Sequence, residues 1–269
     1  MSSNAQVITA LDDTAALIGR HLRHLKRTPE KIIAVSLTPV AMVVILGYLM
    51  ATVLTLKSDV KYHDYVMAGV FAQVGLTCVG ITALGVASDL SKGLIDRFRS
   101  MPMARPVVLV SHTAADLVPA MISMVVVTGV GLLVGWRVDT DVMSLVAGFG
   151  LLLTFCYAML WLGALLGMVM RNMEAINGIS GLVIVIFSFM SSAFMPLMGL
   201  PTWLRLVGEW NPVSSVSAAC RELWGNAPAN VDGSVAVQHP VLVAWITVLG
   251  MIVVLVPICF RTFAKASVR

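Results

Sequence analysis

His112 and Asp116 stand four residues apart in "SHTAADLVPA" (residues 111–120), so on a helix they share one face. An imidazole and a carboxylate so placed could pass a proton, and an ion-coupled transporter needs such titratable groups within its spans. The same pair would serve equally in interfacial hydrogen bonding, or in an ion pair with a nearby basic loop. Arg171 and Glu174, three residues apart, pose the same choice. All four fall at the edges of apolar runs, which favours the interfacial role and leaves an ion-coupled secondary transporter as the rival reading.

Other chemistry lacks its signature. The phosphate-binding pattern G-x-x-x-x-G-K-[ST] occurs nowhere in the 269 residues, so ATP-driven work by that route requires a partner. H-E-x-x-H and G-x-S-x-G are missing as well, which leaves a membrane-embedded lipid-modifying enzyme without a recognisable zinc site or nucleophile. Cys78, Cys156, Cys220 and Cys259 show no paired spacing and read as small apolar side chains rather than a disulfide framework or metal site. The 17 methionines suit a surface that repacks around lipophilic ligands or, more simply, the filling of an apolar interior.

"KGLIDRFRSMPMARP" (residues 92–106) is a basic island with two prolines between two strongly apolar stretches. Ser88 and Asp89 are candidate helix caps, Leu90, Leu94 and Phe98 recur every four residues, and Lys92, Asp96, Arg97 and Arg99 cover much of the rest. "MPMARP" then stops the helix and turns the chain back. A short amphipathic helix held between two spans suits docking in a partner's groove. Attraction to anionic lipid accounts for the charges, but less well for Phe98 and the prolines.

The elements that must position these residues follow from composition. The chain is 58% hydrophobic and 12% charged, with a mean hydropathy of +0.92, against roughly 25% charged in soluble domains. It reads as an all-α integral membrane protein, since a spanning helix needs about 20 apolar residues and barrel-type alternation is absent. Stretches lacking Asp, Glu, Lys and Arg give six transmembrane helices: 32–56, 65–87, 117–136, 142–170, 175–204 and 240–260. The fifth is too long for one span, so Pro196 and Pro201 are expected to end its helix early.

Residues 199–239 then form a helical segment outside the bilayer. Pro201 opens "PTWLRLVGEW", and Asn211 with Pro212 supplies cap and first position for "NPVSSVSAACRELW". In the second piece Val213, Val216, Cys220 and Leu223 share a stripe, with Ser215, Arg221 and Glu222 elsewhere. Both pieces read as amphipathic helices that dip into the outer leaflet, followed by a turn-rich loop, "GNAPANVDGS". At the other end, Ile8, Leu11, Ala15, Ile18, Leu22 and Leu25 mark one face of an interfacial helix over 1–28, opposite Arg20, Arg23, Lys26 and Arg27. No cleavable signal is evident in the first 31 residues.

Small-residue pairs at Gly131–Gly135 and Gly163–Gly167 permit close helix approach, within the subunit or between copies. Gln73, Thr77, Thr82, Ser188, Ser191 and Ser192 either line a path for an amphiphile or bond their own backbone. No polar linker divides the chain, so residues 1–269 form one membrane domain with special segments at 1–28, 88–106 and 199–239. With an inner N-terminus, the inner segments hold Arg20, Arg23, Lys26, Arg27, Lys31, Lys92, Arg97, Arg99, Arg105, Arg171, Arg261, Lys265 and Arg269, against Lys57, Lys61, Arg137, Arg205 and Arg221 outside. The positive-inside rule therefore places both termini in the cytoplasm.

"SDLSKGLIDRFRSMPMARP" followed much later by "FMPLMGLPTWLRLVGEWNPVSSVSAACREL" resembles the membrane subunits of type-2 ABC exporters, in particular the daunorubicin-resistance (DrrB-like) permease group. The resemblance covers essentially the whole chain. It implies that Leu94, Ile95, Asp96, Arg97, Phe98 and Arg99 belong to a coupling helix that contacts a separate ATP-binding subunit, present in two copies. It implies too that Met195, Pro196, Pro201, Trp203, Leu204, Asn211, Pro212 and Arg221 belong to an outer re-entrant region. ATP and Mg would sit on that partner, with no cofactor or metal in this chain. A second permease copy or a paralogue would complete the pathway in a bacterial inner membrane. The cargo would be lipophilic or amphipathic (a drug, an antibiotic or a lipid), with membrane lipids but no nucleic acid among the partners.

Overall fold

The computed structural model describes residues 30–49, 61–91, 105–170, 172–228 and 234–266. The interfacial helix expected over 1–28 lies outside the described residues, as do Leu94, Ile95, Asp96, Arg97, Phe98 and Arg99. Among the described residues all regular structure is helical. The order is α1 (Glu30–Val44, continued by a π-helical turn, Ile45–Leu49), α2 (Tyr62–Ser91), α3 (Arg105–Val134), α4 (Val142–Val169) and α5 (Met173–Phe189). A 3-10 turn (Leu197–Gly199), α6 (Thr202–Glu209), α7 (Pro212–Leu223), α8 (Val235–Gln238) and α9 (Pro240–Ala266) follow.

Among the described residues four helices are long and apolar enough to cross a membrane: α2, most of α3, α4 and most of α9. Residues 32–48 and α5 are shorter apolar helices. At 1.5 Å per residue α5 reaches about 25 Å, short of the roughly 30 Å hydrocarbon core. The end of the bundle that holds Tyr62, Trp136 and residues 190–228 is called upper below, and the end with Ser91 and Arg105 lower.

Local chemistry sets the helix ends. Asn172 caps α5, its Oδ1 accepting the Glu174 N–H at 2.8 Å, and Ser144 Oγ donates to Asp141 Oδ1 at 2.7 Å where α4 begins. Gly135 stops α3 with a φ of 109°, a conformation glycine adopts without a Cβ penalty, and the Trp136 N–H returns to Gly131 O at 3.0 Å. The Gly131–Gly135 pair is therefore a helix terminus.

α2 is the central rod, packed against α1, α3, α4, α5 and α7, and its buried residues occur all round it. A helix apolar on every side belongs in an interior. Its closest neighbour is α4: a Cβ on Gly163 would stand 2.5 Å from Val79 O, and one on Gly167 would collide with the Ala83 carbonyl. The Gly163–Gly167 pair thus packs helices within the subunit. α1, α3, α5 and α9 turn apolar side chains such as Leu37, Val125, Leu182 and Val253 outward.

Three helix boundaries differ from the sequence expectation. α2 runs on to Ser91, so Ser88 and Asp89 lie inside it rather than capping a new helix. α3 starts at Arg105 instead of 117, carrying His112 and Asp116 within it. Polarity marked those edges, yet Asp89, His112 and Asp116 lie against one another and the helices continue past them. α5 ends at Phe189, before either proline, because Asn211 takes up carbonyls at its end.

Candidate functional site: a buried arginine beneath the broken helix

Residues 190–196 leave helical form above α5, so their backbone groups need partners from elsewhere. Side chains of α2 and α7 supply them. Tyr65 OH donates to Ser192 O (2.9 Å) and Tyr62 OH to Phe194 O (3.1 Å). From α7, Arg221 Nε donates to Tyr65 O (2.8 Å), while its Nη2 donates to Ser192 O (2.8 Å) and Ala193 O (2.7 Å). Ser214 Oγ accepts the Ser192 N–H (2.8 Å) and Ser191 Oγ the Ala193 N–H (3.1 Å).

Arg221 is 3% exposed. Among the described residues no carboxylate faces it; tyrosines and a thiol do. A buried charge is tolerable only when hydrogen-bonded, and here three carbonyl dipoles and the Tyr65 ring, 3.7 Å from Cζ to the ring centre, compensate it. Gly69 makes the approach possible, since a Cβ there would run into the Ala193 carbonyl.

Asn211 ties the same region from above. Its Nδ2 donates to Phe187 O and Met190 O, both at 3.0 Å, and its Oδ1 accepts the Val213 N–H at 2.9 Å. One side chain thus closes α5 and opens α7, using both amide protons and the carbonyl. Glu209, also buried, accepts from Arg205 Nε at 2.7 Å and from the Ser234 N–H at 3.1 Å. Burial alone would raise the Glu209 carboxyl, but the Ser234 and Arg205 donors outweigh it and hold the group below the usual carboxylate range. An aromatic box of Phe71, Trp136, Phe149 and Trp224, with ring centroids 5.3 Å apart for Phe71–Trp224 and Trp136–Trp224, braces the far end of α7.

The residues singled out for the upper segment divide accordingly. Asn211 and Arg221 are buried and meet at the break, with Pro212 partly covered. Met195, Pro196, Pro201 and Trp203 are exposed, and Leu204 is intermediate. Trp203, Leu206 and Val207 on α6, with Trp210 at its C-cap, form an outward apolar face at the spacing of one helix side. α7 departs from its expected amphipathic surface role: Ser214, Ser215, Ser217 and Arg221 are all buried, because the carbonyls of the break give its cation a place inside.

His112 and Asp116 do come together, between the lower halves of α2 and α3. His112 Nδ1 lies 3.4 Å from Asp116 Oδ2, and its Nε2 lies 3.4 Å from Asp89 Oδ2. Thr82 Oγ1 donates to Asp116 Oδ2 at 2.8 Å. Glu174 is exposed at the start of α5, and Arg171 lies outside the described residues. Thr77 and Ser191 bond backbone carbonyls of their own segments.

Tyr62, Tyr65, Gly69, Thr82, Asp89 and Ser214 were not singled out for these sites from the sequence. Tyr62, Tyr65 and Gly69 do recur along one helix side, but nothing local links them to Arg221, which lies 156 residues after Tyr65.

Comparison with known proteins gives two findings. A family model described as "ABC-2 type transporter" matches residues 13–223. The chain is also 26% identical, over 96% of its own length and 88% of the relative's, to the daunorubicin resistance ABC transporter permease protein DrrB1 of Streptomyces coeruleorubidus.

Proposed function

We propose, from the premise that this chain belongs to the ABC-2 type transporter family, that it is the half of an ATP-driven exporter through which a lipophilic or amphipathic compound leaves the cytoplasm or the inner leaflet. As a member of that family it is a membrane-spanning permease subunit, a transporter component rather than an enzyme. The observation that carries the proposal is the family match across 13–223, which includes the basic island and the upper segment as far as the end of α7. The missing phosphate-binding pattern agrees with it, since hydrolysis must then occur on a separate ATP-binding subunit carrying ATP and Mg.

In this reading the chain spans the membrane six times, with residues 32–56 and α5 as the two spans beyond the four long helices, and both termini are cytoplasmic. The excess of Lys and Arg on the lower side supports that orientation. The upper segment is then the outer, re-entrant one. Non-helical backbone is tolerated at membrane depth only where protein buries it or it lines a cavity, and the Arg221 contacts meet the first condition. Trp203 on the exposed face of α6 and Trp210 at its C-cap suit an interfacial anchor.

Leu94, Ile95, Asp96, Arg97, Phe98 and Arg99 are proposed to dock into the ATP-binding subunit, two copies of which would serve two permease subunits, identical or paralogous. Closure of those subunits on ATP would displace the docked segments, and the paired bundles would turn that motion into release at the outer leaflet. The relative is named for daunorubicin resistance, and a drug-like cargo is proposed accordingly; spans nearly bare of charge suit such a molecule. The test is the ATPase rate of the purified complex. Phe98→Ala and Arg97→Ala are expected to lose binding of the ATP-binding subunit or its stimulation. Unchanged assembly and rate in both would refute the assignment of this segment.

A further inference from the structure

We infer that His112, held between Asp89 of α2 and Asp116 of α3, is a positioning residue that ties the lower halves of these two helices and so governs how the segment between them, residues 92–104, drives the ATP-binding subunit. The inference rests on the coupling role proposed above for that segment. Its ground is the geometry. The imidazole reaches a carboxylate on each helix at 3.4 Å, and Thr82 Oγ1 adds a second bridge from α2 to Asp116 at 2.8 Å. Gly85 gives the ring room, since a Cβ there would stand 3.2 Å from His112 Cε1.

Depth makes the cluster costly without a purpose. Thr82 lies nine residues above Ser91, about 14 Å along the axis, and His112 and Asp116 are each 9% exposed. Ionisable groups at such positions inside spans mark function by default. Asp89, its side chain 41% exposed, links the buried pair to the lower solvent.

Among the described residues, the charged groups at the imidazole include Asp89 from α2 and Asp116 from its own helix, with the Thr82 hydroxyl behind Asp116. Cys78 of α2 lies within electrostatic reach of Asp116. Around Leu109, below the ring on α3, α4 and α9 contribute apolar side chains such as Trp161, Leu255 and Phe263 and the Cys259 thiol. α5 adds Ile176 against Ala83 and Ala87.

Histidine changes charge between about pH 5 and 8 when its surroundings do not displace it. Protonated, it donates from both nitrogens and can hold both carboxylates; neutral, it donates from only one. The tie between α2 and α3 is therefore strongest at low pH and loosens as pH rises through the imidazole titration.

The experiment uses the complex with its ATP-binding subunit, in nanodiscs of phosphatidylethanolamine and phosphatidylglycerol. The readout is the ATPase rate of the complex divided by that of the isolated ATP-binding subunit, from about pH 6 to about pH 9 across the imidazole range. The wild-type ratio should fall as pH rises. His112→Gln should still assemble, lose the pH step and lower the ratio by about fivefold or more, the lower end of ordinary coupling between sites.

Asp89→Asn, which removes the α2 carboxylate from the tie at a solvent-accessible place, should flatten the step and lower the ratio; it also carries the test should His112→Gln fail to fold. A His112→Gln complex with the wild-type profile, an unaltered step in Asp89→Asn, or a wild-type ratio that ignores pH overturns the inference. Loss of stimulation in Phe98→Ala beside an unchanged His112→Gln would sink this inference alone. A wild-type chain that neither binds nor stimulates the ATP-binding subunit would sink the coupling reading and this one with it.

Discussion

Replacing Arg221 by lysine keeps the charge and should nonetheless be among the most damaging single changes at the upper end. The guanidinium sends one donor to Tyr65 O and two to Ser192 O and Ala193 O, a fork that an ammonium on a flexible stem does not reproduce. Two of the three charge-assisted bonds should be lost, each worth about 1.5–3 kcal/mol net. The residual cation stays buried with fewer partners, so its desolvation cost is not recovered. Tyr65 O keeps its place in the α2 ladder and Ser192 O keeps the Tyr65 hydroxyl, which leaves Ala193 O to bear the loss. The lower bound is therefore about 3 kcal/mol, or roughly 6 °C in melting temperature for a chain of this size.

Arg221→Met removes the charge together with the bonds and should melt above Arg221→Lys, because only an orphaned carbonyl remains, at about 1–3 kcal/mol. Cys78, Cys156, Cys220 and Cys259 are all buried and free, so a thiol-reactive dye reports unfolding of the purified protein in detergent. A lysine variant within about 1 °C of wild type, or one that melts above the methionine variant, would refute the account of this cation.

Gly167→Ala should break the α2–α4 contact, since its Cβ would meet the Ala83 main chain rather than a side chain able to swing away; a loss of about 1–3 kcal/mol is expected in the same melt, against little change for Gly250→Ala, which has open space around it. Glu209 gives a pH signature. Its carboxyl is held below the usual range, so its contribution is complete above the ordinary carboxylate pKa and is lost as pH falls through the depressed one. Glu209→Gln should lower the melting temperature at neutral pH and flatten its decline in acid; an unaltered acid slope would remove the group from the account.

What the sequence made legible follows the range of each interaction. Apolar length and capping act within a few residues, so the helical class, the Asn211–Pro212 start of α7 and the His112–Asp116 pairing could all be read directly. The partners of those same residues could not. Asn211 gives its amide protons to carbonyls of α5, and His112 finds its second carboxylate on α2, contacts that exist only once helices are packed. Arg221 shows the limit most sharply. A cation in an amphipathic pattern is assigned to the wet side, and only a backbone break with free carbonyls overhead makes the interior the better solvent for it. Polarity misled the helix boundaries near 88 and 117 in the same way, because it was read as the end of a helix when the charged groups were meeting one another between helices that continue past them.

Both clusters hang on one helix, and that gives the structure a mechanical reading. α2 carries Tyr62, Tyr65 and Gly69 at its upper end and Thr82 and Asp89 at its lower end. It has 30 residues and no proline, which makes it a rod of about 45 Å, and it is buried along most of its length. Close packing leaves such a rod little freedom to bend, so it shifts as a unit. A force that moves Asp89 against His112 must then move Tyr65 against the Ser192 and Ala193 carbonyls, unless the rod unwinds between them. A disulfide or bismaleimide bridge fixing α2 to α3 at the lower end should therefore slow dye access at Cys220 in the native state as well as blocking stimulation of the ATP-binding subunit. If stimulation stops while Cys220 labelling proceeds at the wild-type rate, the two ends move independently and α2 is not the transmitting element.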